Sequence, residues 1–258
     1  MKTKQEICQN WLPRYTGTAV EDFAEYILLT NFQNYVEVFA EKMGVPVNGL
    51  NRAMPNATSA DKKVSIINFG MGSANAATIM DLLTARKPKG VLFLGKCGGL
   101  KRSSEIGHFI LPIAAIRGEG TSNDYMPPEV PALPSFKLHK FVSEKIVDGG
   151  YGYRTGVVYT TNRRVWEHDD AFRLRLQAMK CMAIDMETAT IFIVGHNNEI
   201  ARGALLLVSD VPITPEGVKT EASDKQVNAT WVDIHLNLGI EAMSELGTQG
   251  EEIKHFKY

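Results

Sequence analysis

Two short segments of this sequence place carboxyl groups where apolar runs end. Leu205-Leu206-Leu207-Val208 is followed at once by Ser209-Asp210. A carboxyl at the end of such a run is partly withdrawn from water, which raises its pKa and lets it hold a proton near neutrality. That is the chemistry of a general acid, and a turn or N-cap aspartate is the equally weighted alternative. Asp185-Met186-Glu187 sets two carboxylates around a thioether. A carboxylate accepts two O–H donors, which suits a vicinal diol, and methionine offers a soft apolar face to a sugar. The competing explanation is acids at a helix start, complementing its dipole.

Other segments combine glycine with cations or hydroxyls. In Gly95-Lys96-Cys97-Gly98-Gly99-Leu100, glycines expose backbone amides and Lys96 offers a charge to a phosphate or carboxylate. Arg117-Gly118-Glu119-Gly120-Thr121-Ser122 suits an anion or a sugar, although any loop can have such composition. Gly70-Met71-Gly72 precedes Ser73, a candidate helix cap, so an anion is favoured there too. It is not a dinucleotide fingerprint: the third glycine is missing, and no acid ends the next strand.

The elements that position these residues follow from periodicity. Short apolar runs at Val64–Phe69, Val91–Leu94, Phe109–Ile116, Tyr153–Tyr159 and Ala204–Val208 read as strands. Helices are predicted from Ser73 to about Arg86, over 136–147, 168–180 and 186–197, and over roughly 222–246. Residues 1–60 read as a helical lead-in. Thr18-Ala19-Val20-Glu21 is a capping-box pattern, and Phe23, Ile27, Phe32, Tyr35, Val36 and Phe39 follow at helical spacing until Gly44 and Pro46. Residues 47–61 read as a loop, and 247–258 as a polar, fraying tail. Strands alternating with helices predict an α/β fold with a largely parallel sheet, as one domain over 1–258. In such sheets ligands sit beyond the carboxyl ends of the strands, where the segments above fall.

Composition narrows the function classes. The chain has 258 residues, 28 Lys+Arg against 29 Asp+Glu and a net charge of -1, so it has no electrostatic footprint for nucleic acid or an anionic membrane. No apolar run approaches the about 20 residues of a spanning helix. Cys8, Cys97 and Cys181 have no paired spacing, which suits a reducing cytoplasm and argues against a disulfide framework or a zinc site.

The ordered set of motifs resembles the nucleoside phosphorylase superfamily, and within it the AMP-hydrolysing branch. The pieces are Gly70–Gly72, Gly95–Leu100, Arg154-Thr155-Gly156, Asn162–Glu167, Asp185–Glu187 and Val208–Asp210 with Pro212 and Lys219, in order over most of residues 12–245. Arg14–Thr18 and Leu28–Phe32 add to the match. The resemblance implies a three-layer α/β/α sandwich around a mixed, largely parallel sheet, and a purine N-glycosidic bond as target. Met186 and Glu187 would then hold the ribose, with Glu187 on its 2′- and 3′-hydroxyls, and Asp210 would protonate purine N7. Cys97, Gly98 and Asp185 would border the base, with Tyr159 or Trp166 stacked on it. Lys96, Arg163, Arg164, Arg117, Thr121, Arg14 and Lys219 would be free for a 5′-phosphate, surface solvation being the alternative for each basic group. The resemblance further implies a homo-oligomer, a hexamer, with Arg14 reaching into a neighbour's site. No cofactor and no metal is expected.

Two departures bear on the nucleophile. Phosphorylases of this superfamily carry an early loop and a second-strand arginine that grip inorganic phosphate. Here no such loop precedes residue 70, Phe93 stands where the arginine would fall, and Lys96 replaces a serine. That favours water, hence hydrolysis of AMP to adenine and ribose 5-phosphate. A phosphate-dependent purine nucleoside phosphorylase, or a non-catalytic purine-binding protein on the same fold, remain the alternatives. With about 60 residues before the first predicted strand, the ATP-responsive layer of longer relatives is expected to be missing.

Overall fold

The computed structural model describes residues 1–214 and 217–249. Eight strands form its sheet: β1 (Tyr26–Thr30), β2 (Asn56–Ser59), β3 (Val64–Asn68), β4 (Gly90–Gly99), β5 (Phe109–Gly118), β6 (Tyr153–Thr161), β7 (Ala183–Asp185) and β8 (Arg202–Asp210). Their order is β2-β3-β1-β4-β7-β6-β5-β8, and β4 also pairs with β8. The strands from β4 to β8 therefore close on themselves, while β1, β3 and β2 extend the sheet beyond β4. Pairings β1–β3, β1–β4, β4–β8, β5–β6 and β6–β7 are parallel. Pairings β2–β3, β4–β7 and β5–β8 are antiparallel. The sheet is thus mixed and largely parallel.

Both faces of this sheet are covered, which is why its central strands are apolar at every position rather than at alternate ones. Ile27, Leu29, Phe93 and Leu206 face a core shared with α1 (Lys4–Thr16), α3 (Ser73–Leu82) and α6 (Thr188–Asn197). Leu28, Leu92, Leu94, Leu205 and Leu207 face a second core shared with α2 (Gln33–Met43), α4 (Phe136–Asp148) and α7 (Glu221–Gln249). A smaller cluster packs Tyr159, Trp166 and Ile184 against Leu176 of α5 (Asp170–Ala178). No helix among the described residues is long and apolar enough to cross a membrane.

The N-terminal third differs from the sequence-based expectation. Residues 18–43 are not one helix: a single 3-10 turn (Val20–Asp22) leads into β1, and α2 follows. A five-residue strand buried on both faces has no alternation, so its apolar residues merge with those of α2 into an apparent helical period. Thr18 caps no helix; its hydroxyl donates to Asn56. The capping box belongs to α1, where Thr3 and Glu6 bond reciprocally. The expected loop at 47–61 contains β2. Residues 1–60 thus supply two strands of the sheet rather than a purely helical lead-in. The glycine segment expected to turn after Leu94 is a continuation of β4 through Gly99. Of the expected polar tail, 247–249 belong to α7, and the rest lies outside the described residues.

Candidate active site

β4, β7 and β8 converge at one end of the sheet. The β4–β8 register shifts at Cys97/Gly98, so Gly98 lies opposite Asp210 rather than Ser209. Glycine is required there: a Cβ on Gly98 would meet Pro212 at 2.9 Å and Ile184 at 3.3 Å. Beyond this junction lies a cavity of about 220 Å³. Lys96, Cys97 and Gly98 line it from β4, Asp185–Glu187 from the end of β7, and Ser209 and Asp210 from β8. Arg163, Arg164 and Trp166 line it from the segment after β6, and Lys219 from beyond β8.

The two acids of Asp185-Met186-Glu187 do different things. Asp185 is buried and spent on the protein: Oδ2 accepts the Thr188 amide at 2.7 Å and its hydroxyl at 2.5 Å, and Oδ1 accepts the Thr160 hydroxyl at 2.7 Å. It lines the cavity with Cys97 and Gly98, as expected of a residue bordering the base, while its carboxylate fastens the start of α6. Replacing Asp185 with Ala would strand these buried donors, and should lower the unfolding free energy by about 1–3 kcal/mol. A urea denaturation midpoint checks this.

Glu187 is also buried, yet its carboxylate faces the cavity. Oε1 accepts the Gly72 amide at 2.8 Å and the Asn31 side-chain amide at 3.3 Å; Oε2 accepts the Met186 amide at 3.3 Å. The anion at the Gly70–Gly72 turn is thus Glu187 itself. Gly72 has φ +97° and is the residue preceding α3. Ser73 does not cap that helix but donates its hydroxyl to the Met186 carbonyl at 2.7 Å, fixing the segment between the two acids. Burial, and then the charge of Asp185, push the Glu187 carboxyl up to about 8.

Asp210 accepts the Ser209 hydroxyl at 2.8 Å on Oδ1. Burial raises its pKa, while Ser209, Lys219 and Arg164 act in the opposite direction. Cys97 is a wall: burial first, then Asp185 and Asp210, raise its thiol well above the ordinary range, so it stays protonated.

The cations separate into two groups. Lys96 is buried, with Nζ 4.4 Å above the Phe32 ring, 2.6 Å from Asn228 Oδ1 and 3.2 Å from Asp224 Oδ1. Lys219 shares that Asp224 oxygen at 2.8 Å and reaches Ser209 Oγ at 3.4 Å. Two ammonium groups on one carboxylate leave a positive excess beside Asp210. Arg163 and Arg164 line the same cavity but are paired with Asp169 at 2.7 Å and Glu167 at 3.4 Å.

Three residues expected at this cavity, Arg117, Thr121 and Tyr159, do not line it, and Arg14, expected at a neighbour's site, lies on the surface. All five Arg117 N–H donors are taken by Ser122, Asn123 and the carbonyls of Met126, Pro127 and Val130, so Arg117 staples its own loop rather than facing the cavity. Thr121 sits in the short helix of that loop, away from the cavity lining. Tyr159 packs edge-on to Phe172, and of the two candidate stacking rings only Trp166 lines the cavity. Arg14 is exposed on α1 over the Trp11 ring. The sequence reading missed Asn31, which holds Glu187, and the Asp224/Asn228 pair that tethers the lysines. Their i, i+4 spacing on α7 was the available signal.

Residues 19–238 match the model of the Phosphorylase superfamily. The chain is 30% identical to an AMP nucleosidase of Escherichia coli (strain K12), over 94% of this chain and 59% of that protein. It thus spans about three-fifths of that curated relative's length. The solved AMP nucleosidase from Bacteroides thetaiotaomicron VPI-5482 is 52% identical, with TM-score 0.86 over 96% of this chain and 99% of that one. A uridine phosphorylase from Vibrio fischeri ES114 has the same fold at 21% identity, with TM-score 0.78 over 88% of this chain and 93% of that one.

Proposed function

The chain belongs to the phosphorylase superfamily, and from that premise we propose that it hydrolyses the N-glycosidic bond of AMP to adenine and ribose 5-phosphate. The observation that carries this reading is the gathering of a cation pair, a partly buried acid and the buried Glu187 carboxyl around one cavity. Lys96 and Lys219 offer an excess of positive charge to a phosphate monoester. The AMP nucleosidases of Escherichia coli and Bacteroides thetaiotaomicron support the choice of substrate. Water as nucleophile is supported by Phe93, whose ring is fully buried against Phe69 at the position where an inorganic-phosphate arginine would stand.

In this mechanism Met186 lies against the ribose and Glu187 accepts its 2′- and 3′-hydroxyls. Trp166 and the Cys97–Gly98 wall border the adenine. A purine is a poor leaving group as an anion, so Asp210 gives its proton to N7 and the base leaves neutral. Positive charge then develops on the ribose, where the Glu187 carboxylate stabilises it; water captures C1′ and releases its surplus proton to solvent, from which Asp210 is reprotonated. The protein works in the cytoplasm as a homo-oligomer, a hexamer by analogy, in which Arg14 reaches a neighbour's phosphate site. Light scattering of the purified chain tests that assembly.

Product analysis with AMP in phosphate-free buffer tests the reaction. Adenine and ribose 5-phosphate are expected. Cleavage of adenosine only after phosphate is added would replace this reading with a phosphorylase. Lys219→Met should lower kcat/KM for AMP by about ten- to a hundredfold, the weight of one charged hydrogen bond, and leave that for adenosine nearly unchanged.

A further inference from the structure

Asn31 stands one residue beyond β1, a strand fixed by its pairing with β3 and β4, and it reaches the cavity beside Phe32. Its side-chain amide donates to Glu187 Oε1, the oxygen that Gly72 also holds. Oε1 is thereby turned towards the protein by two donors, whereas Oε2 has the single long contact from Met186. The remaining atom of the Asn31 amide, Oδ1, is buried and has no hydrogen-bond partner. An unmade buried acceptor is unfavourable, and an apolar side chain of similar volume would fill the space without it. The residue type therefore answers to its one donated bond.

We propose that Asn31 is a positioning residue for Glu187, fixing Oε1 against the protein so that the carboxyl group is presented to the sugar hydroxyls. This rests on Glu187 being the ribose-holding group. The charged and titratable neighbours are Asp185 on the same segment and, around the cavity, Lys96 and Cys97 from β4, Arg163, Arg164 and Glu167 after β6, Asp210 from β8 and Lys219 after it. Asp185 opposes ionisation of Glu187, as does burial; the donors Gly72, Met186 and Asn31 favour it.

Asn31→Ala removes the donor, and Asn31→Asp keeps the shape but replaces the donor with a second negative charge. Both raise the proton affinity of Glu187, the Asp variant more. The titration midpoint of the Glu187 carboxyl carbon, followed by 13C NMR, should rise by about one pH unit in Asn31→Ala. The acid limb of kcat/KM for AMP should move upward with it, so that activity lost near neutrality is recovered in alkali. A loss of rate with midpoint and limb unmoved would overturn the proposal and leave Asn31 a packing residue. The NMR midpoint needs no turnover. A shifted midpoint in a protein that does not cleave AMP would therefore sustain the role of Asn31 while removing the substrate assignment.

Discussion

Asp210→Asn should lower kcat for AMP by about 10²–10⁴-fold, the range a positioned general acid contributes. The substitution preserves shape and leaves the Ser209 hydroxyl an oxygen to donate to, so the local fold should hold. An amide can donate a hydrogen bond to N7 but cannot deliver a proton, and adenine would have to depart as an anion. With Oδ1 engaged by Ser209, Oδ2 is the oxygen to carry the transferred proton. Burial favours the protonated form, against the opposite pull of Ser209, Lys219 and Arg164. The acid works only while protonated, so the wild-type rate falls as pH rises through its raised pKa, and the variant should lack that alkaline limb. A pH–rate profile of both proteins checks the assignment. An unchanged limb in Asp210→Asn would move the acid to another group on the cavity wall.

The sequence made the acids legible because each lies directly beyond an apolar run, a position that has meaning in any parallel sheet. It could not divide their work. Asp185 and Glu187 are two residues apart and equally acidic; only the hydroxyls of Thr160 and Thr188, brought in from β6 and α6, consume one and spare the other. The same limit holds for the arginines. Composition made Arg117 a candidate anion ligand, while the carbonyls that saturate it come from its own loop, whose conformation no spacing rule specifies. β1 was hidden because a short strand between two sheet neighbours is apolar throughout, and Asn31 was hidden with it. Lys96 was visible beside its glycines. The partners that pin it, Asp224 and Asn228, lie more than a hundred residues away on α7.

Glu187→Gln should separate activity from stability. In the proposed mechanism its carboxylate accepts two sugar hydroxyls in charge-assisted bonds and faces the cation that develops on the ribose. Gln replaces these with neutral bonds and supplies no charge, so kcat/KM for AMP should fall by about 10²–10³-fold. Stability should move the other way. The folded Glu187 pKa lies at about 8, above the ordinary glutamate value of 4.5 that holds in the unfolded chain. Between those values the folded state holds a proton that the unfolded state releases, so this group's contribution is fully present below the lower value and is lost as pH rises through the upper one. Gln is neutral throughout, and its carbonyl can still accept from Gly72 and Asn31. The variant should therefore unfold like the wild type near pH 4 and at a higher temperature than it near pH 9, the gap widening in between. Thermal unfolding at both pH values decides the point. An equal gap at the two would mean that Glu187 is not held against its charge. A widening gap with undiminished kcat/KM would mean that the strained carboxylate is real but does not hold the sugar. Lost turnover with the widening gap is the signature of an ionised group kept buried because the reaction needs its charge.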